Sequence, residues 1–178
     1  MNRSFFEYLG VADSERMHSQ TLAWILSEDF NAIDAHERST LLQDIFGLPL
    51  PSKISEVNTE IDRIDILIQT ENELIVVENK LKSCQHSDQL SRYLEHCELN
   101  HSDFSMKRFY FLTLINEQPQ NDCWINISYA SIYNSLKKLK LDKQNKNAII
   151  FLEYLQYLES LTTIHQLFSE NHQLYMTV

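Results

Sequence analysis

Residues 63–80 read RIDILIQTENELIVVENK. In the first half, Ile64, Ile66 and Ile68 alternate with Asp65 and Leu67, the period of two that a half-buried strand requires. Gln69 to Asn72 is a polar break suited to a turn. Leu74 to Val77 then supplies an unbroken apolar run that leads directly into Glu78, Asn79 and Lys80. That is the pattern of a central strand, covered on both faces, emerging at a polar edge. Strands joined by a short turn pair antiparallel, and side chains two apart on a strand share a face. Glu78 and Lys80 are therefore expected on one face and the Asn79 side chain on the other. Asp65, thirteen residues before Glu78, is brought across the hairpin to the face of Glu78.

Two clustered carboxylates repel each other unless a cation comes between them. A hard ion such as Mg2+, with Mn2+ as its substitute, accepts carboxylate, carbonyl and water oxygens. Asp65, Glu78 and the main-chain carbonyl of Asn79 are the ligands expected for it. Such an ion polarises a scissile phosphate and lowers the pKa of a bound water. Lys80 then orients or deprotonates that water, or stabilises charge developing on phosphorus; spacing alone leaves these roles open. An acid followed two residues later by lysine also occurs as a plain ion pair on solvated strands. Here the apolar run feeding the pair, and a second acid on the preceding strand, favour a site.

The flanking sequence is helical on both sides. Phe5 to Leu9 is apolar and punctuated by Gly10, and a helix begins near Asp13 or Ser14, either of which caps exposed amides. Met17, Leu22, Ile25 and Leu26, with Trp24 for bulk, give that helix a packing face, and Glu15, His18 and Leu22 lie along one side. After a polar stretch from Asp29 to Ser39, Leu41, Leu42, Ile45 and Phe46 predict a second short helix closed by Gly47 and Pro49. Ile54 and Val57 to Glu60 form an entry strand. Downstream, a helix is expected from Gln85 to Glu98, apolar on Leu90, Tyr93, Leu94 and Cys97. Phe109 to Ile115 reads as a buried strand, Glu117 to Asp122 as a turn and Trp124 to Ile127 as a fifth strand. Helices over 131–141 and 147–168 follow, and the last ten residues are expected to be peripheral.

With 178 residues, 43% of them hydrophobic and 22% charged, the chain is expected to fold as one soluble globular domain over residues 1–178. Glu7, Asp13 and Glu15 interrupt the start, which reads as neither a secretory signal nor a membrane span, so a cytoplasmic location is the default. Cys84, Cys97 and Cys123 are an odd number without paired ligand spacing and read as free thiols. Two glycines are too few for a glycine-rich phosphate loop. The formal net charge of −10 opposes nucleic-acid binding, which rests on Lys and Arg releasing counterions. Bound cations neutralise acids at a metal site, however, and bases cluster locally. Lys137, Lys138, Lys140, Lys143 and Lys146 read as a solvated helix end and turn, with a nucleic-acid contact as the alternative.

Arg63 to Ile68, Val76 to Lys80 and Gln89 to Tyr93 together resemble the PD-(D/E)XK nuclease superfamily, in particular a branch of poorly characterised bacterial proteins. That branch begins with an acid followed by a His-Ser pair, matched by Glu15, His18 and Ser19 with Leu22, Ala23 and Trp24 behind them. Glu60 matches an acid preceding the catalytic strand, Phe109 to Thr113 resembles the fourth core strand, and Trp124 with Ser128 and Tyr129 resembles the closing segment. The likeness covers roughly residues 15 to 135. The chain departs from the motif at Ile64, where proline is usual.

The resemblance implies an α/β fold with a restriction-endonuclease-like mixed β-sheet core flanked by α-helices. It also implies metal binding through Asp65 and Glu78 with help from Glu15, catalysis supported by Lys80, and Gln89 as a further polar site residue. The expected activity is divalent-metal-dependent hydrolysis of nucleic-acid phosphodiesters, DNA ahead of RNA. The alternative is a catalytically degenerate nuclease-fold binding or regulatory protein. A homodimer or protein partner is left open, and no membrane association is expected. Arg63, Lys82 and Arg92 form the expected basic path, with Tyr93 beside Gln89 in the cleft wall. His18 reads as a hydrogen-bonded helix residue rather than a metal ligand, and Glu15 as either a cleft acid or a solvated helix-start carboxylate. Phe109, Tyr110 and Phe111 read as core rather than a stacking platform. His101, His165 and His172 receive no role.

Overall fold

The structure is a computed structural model that describes residues 3–83, 88–115 and 117–176, with side chains through residue 169. Three helices, α1 (Phe5–Tyr8), α2 (Glu15–Leu26) and α3 (Ala35–Phe46), precede a hairpin-rich segment of strands β1 (Ile54–Ile61), β2 (Ile64–Thr70) and β3 (Glu73–Lys80). Helix α4 (Gln89–Asn100), strands β4 (Met106–Thr113) and β5 (Trp124–Ser128), and helices α5 (Tyr129–Leu136) and α6 (Lys146–Met176) complete the chain.

The strands form one sheet in the order β1-β2-β3-β4-β5. The β1–β2 and β2–β3 pairs are antiparallel, whereas β3–β4 and β4–β5 are parallel. This mixed sheet with flanking helices is the restriction-endonuclease-like α/β architecture. The central strand explains its own sequence. Ile75 and Val77 enter the larger core with Ile66 and Ile68, packed against residues of α2, α3, α5 and α6. Leu74 and Val76 enter a smaller core with Leu67, Phe109, Phe111 and Trp124, covered by Leu90, Tyr93 and Cys97 of α4. A strand buried on both faces requires an unbroken apolar run. Alternation carries on where the run ends, so Glu78 and Lys80 face the α4 side and Asn79 faces α2 and α5.

The β1–β2 hairpin turns on two residues, Asp62 and Arg63, between the paired Ile61 and Ile64. Both have positive φ, 54° and 69°. Left-handed turn residues match the right-handed twist of the flanking strands, which is why short hairpins use them.

Several boundaries differ from the sequence expectation. Helix α3 begins at Ala35, because Asp34 caps it by accepting from Glu37 N at 2.8 Å. The second half of the stretch read as polar, Ala35 to Ser39, is therefore the start of this helix. Helix α5 begins at Tyr129 and ends at Leu136, since a capping box on Ser128 starts it earlier. Strand β4 starts at Met106 and stops at Thr113. Helix α6 continues through Met176, where polar residues extend a helix already nucleated by its buried half. The expected α4 start at Gln85, and Cys84, lie outside the described residues. Cys97 is buried and Cys123 exposed, both as free thiols. Among the described residues no helix is long and apolar enough to cross a membrane.

Candidate active site

The β2–β3 ladder ends at the pair Ile66 and Val77, while β3 runs on beside β4 as far as the pair Lys80 and Thr113. Past Val77, β3 needs another partner on its β2 side. Asp65 supplies one: its Oδ2 accepts from Asn79 N at 2.7 Å. The Asp65 carboxyl also lies within hydrogen-bonding reach of the Glu78 carboxyl. The hairpin thus delivers both acids to one place, as the alternation predicts.

Glu78 is only 1% exposed. Its Oε1 accepts from Lys80 Nζ at 2.7 Å and from Gln89 Nε2 at 2.7 Å. Gln89 opens α4, and its amide also lies 3.0 Å from the Tyr93 hydroxyl, which donates to Arg63 O at 2.6 Å. A relay of polar groups therefore ties the first turn of α4 to the β1–β2 hairpin. Among the described residues, two buried oxygens in this cluster receive no donor: Glu78 Oε2 and Gln89 Oε1.

The opposite face of β3 is pinned by Asn79. Its Nδ2 donates to Glu15 O and Ser19 Oγ, both at 3.0 Å, and its Oδ1 accepts from the Tyr129 hydroxyl at 2.6 Å. Glu15 holds the strand exit: its Oε1 accepts from Leu81 N at 2.8 Å and Ser83 Oγ at 2.7 Å. Burial alone would raise the Glu15 pKa, but these bonds and the Lys80 charge outweigh it and hold the carboxyl below its ordinary value. His18 is fully buried between the Tyr154 hydroxyl at 2.9 Å and Ala12 O at 3.0 Å. It is a hydrogen-bonded helix residue, as expected, and it lies in the core. The Asn79 amide and Tyr129 were not read as a pin. The signal lay in a polar side chain on the inward face of an otherwise apolar strand.

Electrostatically the cluster is unbalanced. Burial, then the neighbouring Asp65 charge, push Glu78 up to about 8, and burial raises Asp65 as well. Burial on its own would lower Lys80; the bond to Glu78 and the charges of Glu78, Asp65 and Glu15 reverse that and raise it. Two buried carboxyls share one ammonium, so an excess negative charge must be offset by a proton or a cation. Together with the unpartnered Glu78 Oε2, this donor set suits a hard divalent cation. It is a small set: among the described residues no group of three or more His, Cys, Asp or Glu side chains could hold an ion. Glu60, at φ 60° in β1, is exposed, and its charge acts on Asp65.

The expected nucleic-acid contacts divide. Arg63, Lys82 and Arg92 are exposed. Lys82 pairs with Asp13 at 2.7 Å on open surface. Tyr93 is 8% exposed, with its ring in the α4-side core, so it is placed to support Gln89 rather than to stack on a base. Phe109, Tyr110 and Phe111 are core, as expected. Of the lysine run, Lys138 pairs with Asp44 at 2.7 Å, Lys140 lies 3.8 Å from Glu37, and Lys137 sits over the Tyr133 ring.

A fold of this topology, with an acid pair and a lysine at the mouth of its central strand, has a counterpart among protein families. The model of the PD-(D/E)XK nuclease superfamily matches residues 3–177, and the chain belongs to that superfamily. The match extends beyond the stretch that carries the resemblance in sequence. Members of the superfamily generally use divalent metals. Comparison with curated proteins and with solved structures returned no match.

Proposed function

We propose that the protein hydrolyses phosphodiester bonds in nucleic acid with a divalent ion, DNA ahead of RNA and Mg2+ ahead of Mn2+. The observation that carries this reading is the junction of the Asp65 and Glu78 carboxyls with Lys80 Nζ on Glu78 Oε1 at 2.7 Å. Asp65 and Glu78 would hold the ion, joined by the Asn79 carbonyl. Strand geometry supports that third ligand: Lys80 O bonds Leu114 N on the β4 side, so the peptide groups of Asn79 point the other way, toward Asp65. When bound, the ion polarises the phosphate and acidifies a water.

Lys80, kept protonated in the metal-free site, is suited to orienting that water and to stabilising charge on phosphorus. To act as a base it would first have to lose its proton once the ion offsets the carboxylates. Gln89 holds Glu78 in place, and Glu15 fixes the segment that follows Lys80. Retention of Asp65, Glu78 and Lys80 together favours the enzyme over a regulatory descendant of the fold. The domain acts as a single unit in this reading, and its environment is taken to be cytoplasmic.

The test is cleavage of linear, circular and single-stranded DNA and of RNA with Mg2+ or Mn2+. Lys80→Ala should keep its fold and most Mn2+ affinity while turnover falls about 10²–10⁴-fold. Lys80→Arg should recover part of it, since a planar, permanently charged fork replaces the ammonium imperfectly. Asp65→Ala should abolish the specific Mn2+ isotherm. Wild-type cleavage by Lys80→Ala, or no metal-dependent cleavage at all, would move the assignment to the regulatory reading.

A further inference from the structure

Thr113 ends β4 as Lys80 ends β3, and the two are register partners. In a parallel pair, partners share a face, so Thr113 lies on the α4 side of the sheet with Lys80 and, two residues back, Phe111 beside Glu78. Phe111 occupies the smaller core, as that assignment requires. Thr113 is 0% exposed, yet among the described residues its hydroxyl finds no hydrogen-bond partner. A buried hydroxyl without a partner is costly, and valine would fill the same volume without that cost. Glu78 Oε2 and Gln89 Oε1 are orphaned on this same face.

The hydroxyl is closed to solvent, so strand register limits which side chains can reach it. Its row neighbours are Lys80 on β3 and Ser128 on β5. Ser128 Oγ is engaged at the start of α5, accepting from Ser131 N at 3.1 Å. Lys80 carries three donors, and a cation held through the free Glu78 Oε2 and Asp65 would repel the ammonium from Oε1, the oxygen it now holds at 2.7 Å.

We propose that Thr113 is a positioning residue for Lys80: its hydroxyl is the acceptor that takes up the ammonium when a divalent cation engages the Asp65–Glu78 pair. The proposal rests on the nuclease reading for its consequence in turnover and on the packing of β3 against β4 for its geometry. In the metal-free protein Thr113 is a spectator; in the loaded protein it keeps the ammonium beside the ion instead of letting it swing into solvent. Serine preserves this acceptor and valine removes it at nearly constant volume.

The experiment uses the full chain with Thr113→Val and Thr113→Ser. Metal-free Thr113→Val should melt at the wild-type temperature or above, because it gives up no bond; a marked fall would reveal a structural partner and overturn the proposal. In protein labelled at the lysine ε-carbon, with the Lys80 resonance identified by its loss in Lys80→Arg, Mg2+ should shift that resonance. The bound position should differ in Thr113→Val and return in Thr113→Ser. An identical Mg2+-bound resonance in wild type and Thr113→Val would overturn the proposal, whether or not any nucleic acid is cleaved. In the cleavage assay Thr113→Val should lose about 10- to 100-fold in kcat, the worth of one hydrogen bond to a charged group, with KM and Mn2+ affinity within about two-fold. Thr113→Ser should recover most of that loss. Unchanged kcat in Thr113→Val would equally overturn it, whereas a wild type that cleaves nothing, with the resonance behaving as described, would sink only the nuclease reading.

Discussion

At Glu78 a carboxyl that would be ionised in neutral water is held 1% exposed beside a second carboxyl and a single ammonium. Burial and Asp65 push it from its ordinary 4.5 to about 8. The folded, metal-free protein therefore keeps a proton that the unfolded chain releases. The stability this contributes is full below about pH 4.5 and is lost as pH rises through about 8. Asp65, raised for the same reason, acts in the same direction. His18 runs the other way: burial depresses it to about 4, so its contribution is present above its ordinary 6.5 and lost as pH falls toward 4. Between pH 6.5 and 8, then, the carboxyls set the slope and His18 does not. With a chelator present, the melting temperature should fall across that interval. Glu78→Gln should reduce the slope, and Mg2+ should relieve it by replacing the proton. A wild-type profile that stays flat with chelator would mean that the pair is ionised at neutral pH without any ion.

At the level of elements, β3 is held to two helices by one amide. Asn79 joins α2 through Glu15 O and Ser19 Oγ and meets α5 through Tyr129. Tyr129→Phe leaves Asn79 Oδ1 buried without that donor and should cost about 1–3 kcal/mol, read as a lower urea midpoint at unchanged slope. No change would mean that the pin is slack. The strands of the site were legible because β3 alternates through Lys80 and its pairing with β2 sets Asp65 beside Glu78, although β2 is buried on both faces and Ile64 enters the smaller core with Leu67 instead of joining Ile66 and Ile68. What Asn79 binds was not legible, since strand period says which side it faces and nothing about which helices stand there. Helix α3 was half missed because His36, Glu37 and Thr40 at its start carry no apolar period, leaving Asp34 as its one local signal. Thr113 was passed over for the converse reason: a threonine closing an aromatic strand looks like filler until its register with Lys80 is known.

Over the whole molecule the charge is −10, and Lys137, Lys138 and Lys140 lie on Tyr133 and on α3 acids while remaining exposed. Arg63, Lys82 and Arg92 are among the exposed cations flanking the elements of the site. The Lys82–Asp13 pair is solvated on both sides and holds Lys82 only weakly. Replacing all three by glutamine in a Lys80→Ala background should weaken nucleic-acid binding and flatten its dependence on salt, with Mn2+ affinity spared. Fluorescence anisotropy across salt concentrations, beside Mn2+ calorimetry, reads both. A salt slope unchanged by the triple substitution would place the approach path elsewhere on the surface.

The two-residue hairpin turn has a consequence for anyone evolving this protein in the laboratory. Arg63 sits at φ 69°, a backbone state that costs a residue with a β-carbon about 1 kcal/mol and costs glycine almost nothing. A selection for heat resistance alone would enrich glycine at position 63, completing the Asp-Gly pair that such turns favour. The main chain, and the carbonyl that Tyr93 grips, would survive the exchange. The guanidinium would not, so variants ranked by melting temperature would drift away from the polyanion the domain is proposed to meet while every backbone contact around Asp65 stayed in place.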